Sequence, residues 1–328
     1  MGHGSGGRLM HSLIKELLFK KLANPVLGQL SDAAVIRYKE GVAFTTDSFV
    51  VNPLDFPGGD IGKLAVCGTV NDLLMQGARP EYLSLALIIE EGFDYRHLEK
   101  IIDSVAFWAK RANVLIAAGD LKVVEAGAAD KIFINTSGIG RLVRGRNLSV
   151  KNIRVKDKII ITGSIAEHGF AVLSSRRSLN LGFEIKSDCS SLNNLLLPLI
   201  KSFNQIKFMR DPTRGGLATT LNEAAESSGL AMMIDESAIP VSGKVRAAAE
   251  LLGIDPLYVA SEGRAVIVIA PEAAEKAIAM LRKHPLGRGA CLIGEVAKSP
   301  KARVVLKTAV GTERIVDMLI AEPLPRIC

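Results

Sequence analysis

The sequence lacks several patterns, and each absence argues against a class of protein. No apolar run approaches the roughly 20 residues that a membrane-spanning helix needs, so we expect no membrane span. The P-loop pattern GxxxxGK(S/T), which defines one large group of nucleotide-binding proteins, is missing. The four cysteines are too far apart for a zinc knuckle or a CxxC redox pair. No basic patch interleaved with aromatic residues is present, which disfavours nucleic-acid binding.

The composition fits two globular domains. The chain has 328 residues, of which 48% are hydrophobic and 23% charged, and it exceeds the usual size of one hydrophobic core. The formal net charge is +7, with clusters of basic residues only at Lys20-Lys21 and residues 141–146. Such a surface suits a phosphorylated small substrate or an acidic protein partner. Because no basic region followed by an apolar stretch opens the sequence, we expect a cytoplasmic protein.

Helix-like and strand-like patterns mix in both halves, which indicates an α/β fold of the α+β kind. We predict a Gly-rich segment and helix at 1–30, an N-terminal domain at 31–148, a C-terminal α/β domain at 149–320 and a flexible tail at 321–328. The basic, polar stretch at 144–152 marks the domain junction. Pro323 and Pro325 favour an extended, exposed tail, and we expect no hydrophobic core around its last residue, Cys328.

Four acidic residues are candidates for a metal and phosphate site. We assign them to strand ends or Gly-rich loops, where carboxylates can meet in one cleft: Asp47 in TTDS, Asp72 in VNDLL, Asp120 in AGDLK and Asp211 in RDPTRGG. Mg²⁺ prefers a few carboxylates together with water and phosphate oxygens, so the set suits ATP chemistry. Taken singly, each aspartate is better explained as a turn residue that hydrogen-bonds the backbone; taken together, they favour a site.

Two further segments resemble phosphate-binding loops. HGSGG, with Gly4, Gly6 and Gly7, can expose backbone N–H groups to phosphate, although flexible termini are often rich in glycine too. TGSIAEHG follows a predicted strand but matches no dinucleotide-binding fingerprint. We interpret its His168 as a loop or helix-start residue.

A series of motifs in a fixed order resembles one known family over essentially the whole chain. The motifs are HGSGG, FTTDS, FPGGDIGKLAVCGTVNDL, GDLKVV, DKIFINTSGIG, RDPTRGG, HPLG and the terminal AEPLPRIC. They resemble the HypE family of hydrogenase-maturation proteins, within the superfamily of aminoimidazole ribonucleotide synthetase. RDPTRGG and the paired TDS and GD sites are typical of the superfamily, and a terminal PRIC is typical of the HypE family.

The resemblance implies a fold, a nucleotide and an assembly. It implies a two-domain PurM-like architecture and a homodimer built through the N-terminal domains. ATP would lie in a cleft between the aspartate-bearing loops, and the Gly-rich N-terminus would close over it. The metal and phosphate ligands carried over by motif are Asp47, Asp72, Asp120 and Asp211.

The resemblance also implies a reaction centred on Cys328. A carbamoyltransferase, HypF, would load a carbamoyl group on the thiol of Cys328. The protein would then use ATP to dehydrate this thiocarboxamide to a thiocyanate, as a lyase-type enzyme, and the cyano group would pass to iron on a HypC–HypD complex. Removal of the N–H protons needs a base. The candidates aligned by motif are Lys122 and Glu262; phosphate neutralisation for Lys122 and a salt bridge for Glu262 are equally open.

The sequence departs from the family pattern at three positions, and other readings compete. Leu121, Ser261 and Pro212 stand where the family commonly has Thr, Asn and Ala, which puts one phosphate or substrate contact at 121 in doubt. A selenophosphate synthetase should have a reactive Cys or selenocysteine and a Lys in the Gly-rich segment, and HGSGG has neither. Thiamine monophosphate kinase and aminoimidazole ribonucleotide synthetase have no reason to end in Cys. A non-catalytic carrier that only shuttles a group on Cys328 is the alternative from another class.

Overall fold

The computed structural model of the chain describes residues 14–24, 41–176, 181–299, 301–318, 324 and 326–328. Two predicted features lie outside these residues: the segment with Gly4, Gly6 and Gly7, and much of the tail. The first described element is a helical segment formed by Ile14–Phe19 and Lys20–Leu22. Within the described residues, no helix is both long enough and apolar enough to cross a lipid bilayer.

The N-terminal half packs two long helices against one sheet. Its elements are, in chain order, β1 (Val42–Phe49), β2 (Asp55–Phe56), β3 (Gly59–Asp60), α1 (Ile61–Met75), β4 (Ala78–Glu90), α2 (Tyr95–Ala112), β5 (Leu115–Val124) and β6 (Ile132–Leu142). The four-stranded sheet has the order β1-β6-β4-β5, in which the β4–β5 pair is parallel, and β2 and β3 form a separate small hairpin.

The two helices form for different reasons. Asp60 caps α1 by accepting a hydrogen bond from the N–H of Lys63 at 2.9 Å, and nearly every side chain of α1 is buried, as expected for a helix that is apolar all round. Asp94 caps α2, which is amphipathic and ends at Asn113 in the left-handed conformation. The sequence pattern predicts a helix at 61–76 and another that Asp94 caps and that ends near Ala112, and both are confirmed to within one residue at each end.

The register of the four-stranded sheet separates a face packed on the helices from a second face, here called the bare face, that no described helix covers. Ser48, Asn135, Ala86 and Asp120 are aligned across the sheet in the order β1-β6-β4-β5. The next residues along, Phe49, Ile134, Leu87 and Leu121, are all at most 2% exposed because they point toward the helices. Asp120 therefore lies on the bare face, whereas its neighbour Leu121 belongs to the core.

Three of the four aspartates do not lie at strand ends, so that part of the prediction is wrong. β1 continues through Asp47 and β5 continues through Gly119 and Asp120, because both strands keep their backbone pairing with β6 and β4. Asp72 lies in α1. Asp211 alone among the four follows a strand, which spans Ile206–Arg210.

The C-terminal half is a seven-stranded sheet with helices. Its elements are β7 (Lys158–Ile161), α3 (Glu167–Ser174), α4 (Asn193–Ser202), β8 (Ile206–Arg210), α5 (Gly216–Ser228), β9 (Ala231–Asp235), α6 (Gly243–Leu252), β10 (Val266–Ile269), α7 (Pro271–Arg282), β11 (Cys291–Ala297), β12 (Arg303–Lys307) and β13 (Glu313–Val316). The strand order is β13-β12-β9-β11-β7-β10-β8, with β9 and β12 parallel. The central strands β7 and β10 are buried on both faces.

The two halves are joined by buried hydrogen bonds of Asn71. The side chain of Asn71, on α1, donates to the backbone oxygens of Ser190 and Glu262 at 3.0 and 3.1 Å. It also accepts from the N–H of Leu192 at 2.9 Å. Because a buried amide must satisfy these groups, α1 is held against the loop that precedes α4 and against the segment that carries Glu262.

The end of the chain packs against both halves, so the prediction of an exposed tail is wrong for its described residues. Leu324 and Ile327 are 8% and 2% exposed. The main-chain oxygens of Cys328 and Arg326 accept from Val50 and Asn52 at 3.2 and 3.1 Å, a pattern like that of an antiparallel strand pair. These partners are remote in sequence, which is why the prolines alone suggested an exposed segment.

Candidate active site

A cleft of about 570 Å³ lies between the two halves. Its walls come from β1, α1, β8 and the RDPTRGG loop that leads into α5. Three of the predicted aspartates line it, Asp47, Asp72 and Asp211, together with Glu262 and Cys328. The structure therefore brings five of the predicted site residues to one cleft.

Burial raises the pKa of all three aspartates of the cleft. Burial, reinforced by the charge of Asp72, raises the pKa of Asp47 to about 6 and that of Asp211 to about 7. Burial also raises the pKa of Asp72, although its carboxylate accepts a hydrogen bond from the Thr45 hydroxyl at 2.9 Å. The ionised cleft thus holds several carboxylates whose charges are incompletely compensated.

This donor set fits a divalent cation that is completed by other oxygens. In the part of the chain that the structure describes, no three acidic, His or Cys side chains are grouped closely enough to hold a metal ion by themselves. A cation shared with phosphate oxygens would compensate the charge of these buried carboxylates, and it would relieve the repulsion by Asp72 that adds to burial at Asp47 and Asp211. Hard carboxylate oxygens are the ligands that Mg²⁺ prefers.

The RDPTRGG loop adds groups suited to an anion. Arg214 lies in the cleft, with Nη2 3.9 Å from Oδ1 of Asp47. Gly215 and Gly216 have φ values of +72° and +61°, and a side chain at Gly216 would collide with the backbone of Leu257 and Val259. The loop therefore needs glycine to turn into α5, whose first backbone N–H groups favour negative charge.

Glu262 is a buried carboxyl group that forms no ion pair with the residues that the structure describes. It is 3% exposed, its Oε1 has no hydrogen-bond partner among the described protein atoms, and none of the salt bridges there involves it. Burial, followed by the charges of Cys189 and Asp211, raises its pKa well above the ordinary value for glutamate. A carboxylate in such a setting is a strong base for a nearby proton, which favours the base over the salt-bridge interpretation.

Asp120 and Lys122 do not reach this cleft within one chain. They lie on the bare face of β5, where Lys122 Nζ is 3.4 Å from Asp120 Oδ1. Asp120 is three strands away from Ser48, the neighbour of Asp47, which corresponds to roughly 14 Å at about 4.8 Å per strand. Asp47 points toward α1, because a Cβ on Gly68 would lie 3.7 Å from its Oδ2.

Sequence reasoning missed several residues of the site. Arg214 and Thr45 were not assigned a role, although Arg214 lies within RDPTRGG and Thr45 within FTTDS. Ser261, one of the departures from the family pattern, is fully buried and accepts the N–H of Ala166 at 2.8 Å. His168 does begin a helix, as predicted, but it also contacts the tail.

The family models identify the class of protein that this fold and cleft define. Residues 30–142 match the N-terminal domain of the AIR synthase related proteins, and residues 154–307 match their C-terminal domain. The chain is thus an AIR synthase related protein, and the α/β two-domain architecture expected from the sequence is confirmed.

Similarity to individual proteins shows to which family of AIR synthase related proteins the chain belongs. The chain is 48% identical to carbamoyl dehydratase HypE of Bradyrhizobium diazoefficiens, over 100% of this chain and 95% of that protein. The crystal structure of hydrogenase maturation protein HypE in complex with ATP is 46% identical, with a TM-score of 0.96 over 100% of this chain and 99% of that one. A HypE chain from a HypE–HypF complex is 47% identical, with a TM-score of 0.83 over 94% and 100%. The chain belongs to the HypE family of carbamoyl dehydratases.

Proposed function

We propose that the protein uses ATP to dehydrate a carbamoyl group on Cys328 to a thiocyanate, which supplies the cyanide ligand for the iron of NiFe hydrogenase. The observation that carries this proposal is the position of Cys328. The tail is docked so that this residue lines the same cleft as Asp47, Asp72, Asp211 and Glu262. A carrier that only shuttled a group would need no such acidic cleft around its thiol.

The proposed reaction balances without any further reagent. The carbamoyl oxygen attacks the γ-phosphorus of ATP, and ADP leaves. The two N–H protons are removed while the C–O bond breaks, so that inorganic phosphate leaves with the oxygen and a C≡N bond forms. The products are protein thiocyanate, ADP, phosphate and a proton. ATP is needed because an amide oxygen is otherwise a poor leaving group.

The acidic cleft would hold Mg·ATP. Asp47, Asp72 and Asp211 are the residues that would bind Mg²⁺, which neutralises phosphate charge when bound. Arg214 and the start of α5 would bind phosphate oxygens through their N–H groups. The relative in complex with ATP supports this nucleotide for the present chain. We propose Gly4, Gly6 and Gly7, which lie outside the described residues, as further phosphate-binding residues.

Glu262 is the base that we propose for the cleft. Its buried carboxylate has an oxygen without a described protein partner and can accept an N–H proton of the carbamoyl group. General bases of this kind contribute about 10²- to 10⁴-fold to rates.

We propose that two copies pair across the bare sheet face and that Asp120 and Lys122 act in the partner's cleft. This face carries exposed apolar side chains, such as Phe44 at 69% and Ile88 at 44%, which a second copy would bury. Asp120 and Lys122 lie on the same face as Ile88, and they point away from the cleft of their own chain. Both would then bind phosphate oxygens, and Lys122 would also be available as a base.

Mixing two inactive variants tests this shared site. Asp47→Asn and Lys122→Met should each be inactive, whereas a mixture that exchanges subunits should regain roughly one quarter of the sites if the cleft combines residues of two copies. A mixture that stays inactive although subunit exchange is demonstrated would show that each chain builds its own site.

The partners and compartment follow from the same proposal. HypF, present in a complex with a relative, would donate the carbamoyl group, and a HypC–HypD complex would accept the cyano group. We propose that the protein acts in the cytoplasm, where a reducing environment keeps the Cys328 thiol available for loading.

Phosphate release tests the proposed function. The carbamoylated protein should release one phosphate per loaded Cys328 when Mg·ATP is added, and Cys328→Ala should release none after the same treatment. Equal phosphate release from loaded and unloaded protein would contradict the proposal.

A further inference from the structure

His168 is a completely buried histidine that touches the tail. It lies at the start of α3, with its ring edge-on to Phe56 at 5.2 Å between centroids. One ring nitrogen, Nε2, is 2.9 Å from the carbonyl oxygen of Ile327, and the other, Nδ1, is 2.8 Å from Oγ of Ser187. Both nitrogens thus have polar partners.

The partners determine where the ring proton lies. A carbonyl oxygen can only accept, so Nε2 must carry the hydrogen that bonds to Ile327. Burial lowers the pKa of His168, and the ring is therefore neutral. Nδ1 must then accept the hydroxyl hydrogen of Ser187, whose oxygen accepts the N–H of Cys189 at 3.0 Å. A directed chain of hydrogen bonds links the loop at 187–189 to the tail.

The carbonyl held by His168 belongs to the peptide unit that joins Ile327 to Cys328. On the other side of Cys328, its own main-chain oxygen accepts from the N–H of Val50. His168 belongs to the C-terminal half and Val50 to the N-terminal half. Cys328 is therefore held on both sides, once from each half, as it lines the cleft.

We infer that His168 is a positioning residue, which holds the peptide unit before Cys328 in the cleft through its Nε2–H group. The expected effect on the rate of dehydration rests on the proposed function. The expected effect on docking of the tail rests on the geometry alone. His168 touches no reacting atom, and its loss should act only through the tail. Without the hydrogen bond to Ile327, Cys328 should spend less time in the cleft. Binding of ATP and loading by HypF should not change.

Two amide variants separate tail positioning from a purely structural role. Glutamine places its side-chain NH₂ near the position of Nε2 and can still donate to Ile327. Asparagine places its oxygen near Nδ1 and can still accept from Ser187, but it is too short to reach the tail. Hence His168→Gln should keep the tail docked, and His168→Asn should release it while the Ser187 contact survives.

Labelling of the Cys328 thiol by a maleimide, followed by peptide mass spectrometry, measures docking in the unloaded protein. Loss of one hydrogen bond should raise the labelling rate of Cys328 about 2- to 12-fold in His168→Asn. The rate should stay near wild type in His168→Gln. Cys291 is half-buried, and its Sγ lies 3.3 Å from the Ala238 oxygen, so its labelling serves as the internal control.

A second measurement adds the catalytic consequence. Single-turnover conversion of the loaded protein at saturating Mg·ATP should slow by the same factor in His168→Asn and recover in His168→Gln, with an unchanged Kd for ATP. If the wild type itself converts no carbamoyl group, the proposed function fails, whereas the labelling result still tests the positioning role.

Three results would overturn the inference. The first is equal Cys328 labelling in wild type and a folded His168→Asn variant, and the second is equal labelling in the Asn and Gln variants. The third needs no folded variant: nitrogen NMR of the wild-type ring should report a neutral Nε2–H tautomer, and an Nδ1–H tautomer or a charged ring would contradict it.

Discussion

Replacing Glu262 by glutamine should stabilise the protein while removing its activity. The substitution keeps the size of the side chain but fixes it in a neutral state. In the wild type, burial raises the pKa of Glu262 well above its value of 4.5 in an unfolded chain. Glu262 loses its proton more easily in the unfolded chain than in the folded one, so its ionisation at neutral pH favours unfolding. Glu262→Gln cannot ionise and therefore removes this loss of stability.

The size and sign of the stability change follow from proton linkage. Below about pH 4.5 both the folded and unfolded wild type hold the proton, so the two proteins should match. Above that pH the wild type should lose about 1.4 kcal/mol per pH unit relative to Glu262→Gln, until the pH passes the folded-state pKa. Each kcal/mol corresponds to roughly 2–4 °C in Tm for a domain of this size. Thermal unfolding at pH 5 and pH 8 measures the difference.

A second glutamate in the same cleft provides the matched control. Glu223 lines the cleft but forms an ion pair with Arg210, with 2.7 Å between Oε2 and Nη2. The pair is partly exposed, so Glu223→Gln should cost about 0–1 kcal/mol and should not become more favourable as the pH rises. If Glu262→Gln is destabilising at pH 8, Glu262 has an ionic partner and the reasoning is refuted.

Activity gives the other half of this test. Loss of a general base should slow single-turnover dehydration about 10²- to 10⁴-fold, with carbamoyl loading of Cys328 unchanged. Full turnover by Glu262→Gln would exclude Glu262 as the base and leave Lys122 as the candidate.

Three further outcomes are expected. Asp47→Asn and Asp211→Asn should each abolish Mg·ATP-dependent turnover, because each lost ligand removes several kcal/mol of transition-state stabilisation. Without nucleotide at pH 8, both variants should have a higher Tm, because a buried carboxylate charge is removed. Unchanged turnover in both variants would show that the two aspartates are structural residues. Because the pKa values of these groups are about 6 and 7, Mg·ATP affinity by calorimetry should weaken as the pH falls through 7 and 6, and a flat profile would contradict the site. Cys328→Ala should abolish loading by intact mass but leave ATP affinity unchanged, whereas an adduct on Cys67 would contradict the carrier assignment.

Elements with strong local signals were predictable from the sequence. The caps Asp60 and Asp94 fix the starts of α1 and α2, because a carboxylate followed by helix-forming residues satisfies the first N–H groups locally. Asp47, Asp72 and Asp211 were assigned to one cleft, and the structure brings them together. That assignment rested on the order of the sequence motifs, because hydrophobic periodicity alone does not show which loops and strands meet at one cleft.

The rest depended on contacts that no local pattern contains. Gly119-Asp120 looked like a turn because these residue types favour turns, but pairing with β4 extends the strand through them. The face of the sheet on which Asp120 lies follows from strand register, which is set by partners far along the chain. The tail is docked by Val50 and His168, more than 150 residues away in sequence, so two prolines could not reveal it.

The central claim is that Cys328 carries the group on which ATP acts within the cleft. Intact mass of the protein, carbamoylated by HypF and then incubated with or without Mg·ATP, tests it most directly. The account predicts that the adduct loses the mass of one water molecule only when Mg·ATP is present, and that the altered mass maps to Cys328. An adduct that keeps its full carbamoyl mass with Mg·ATP present would contradict the account.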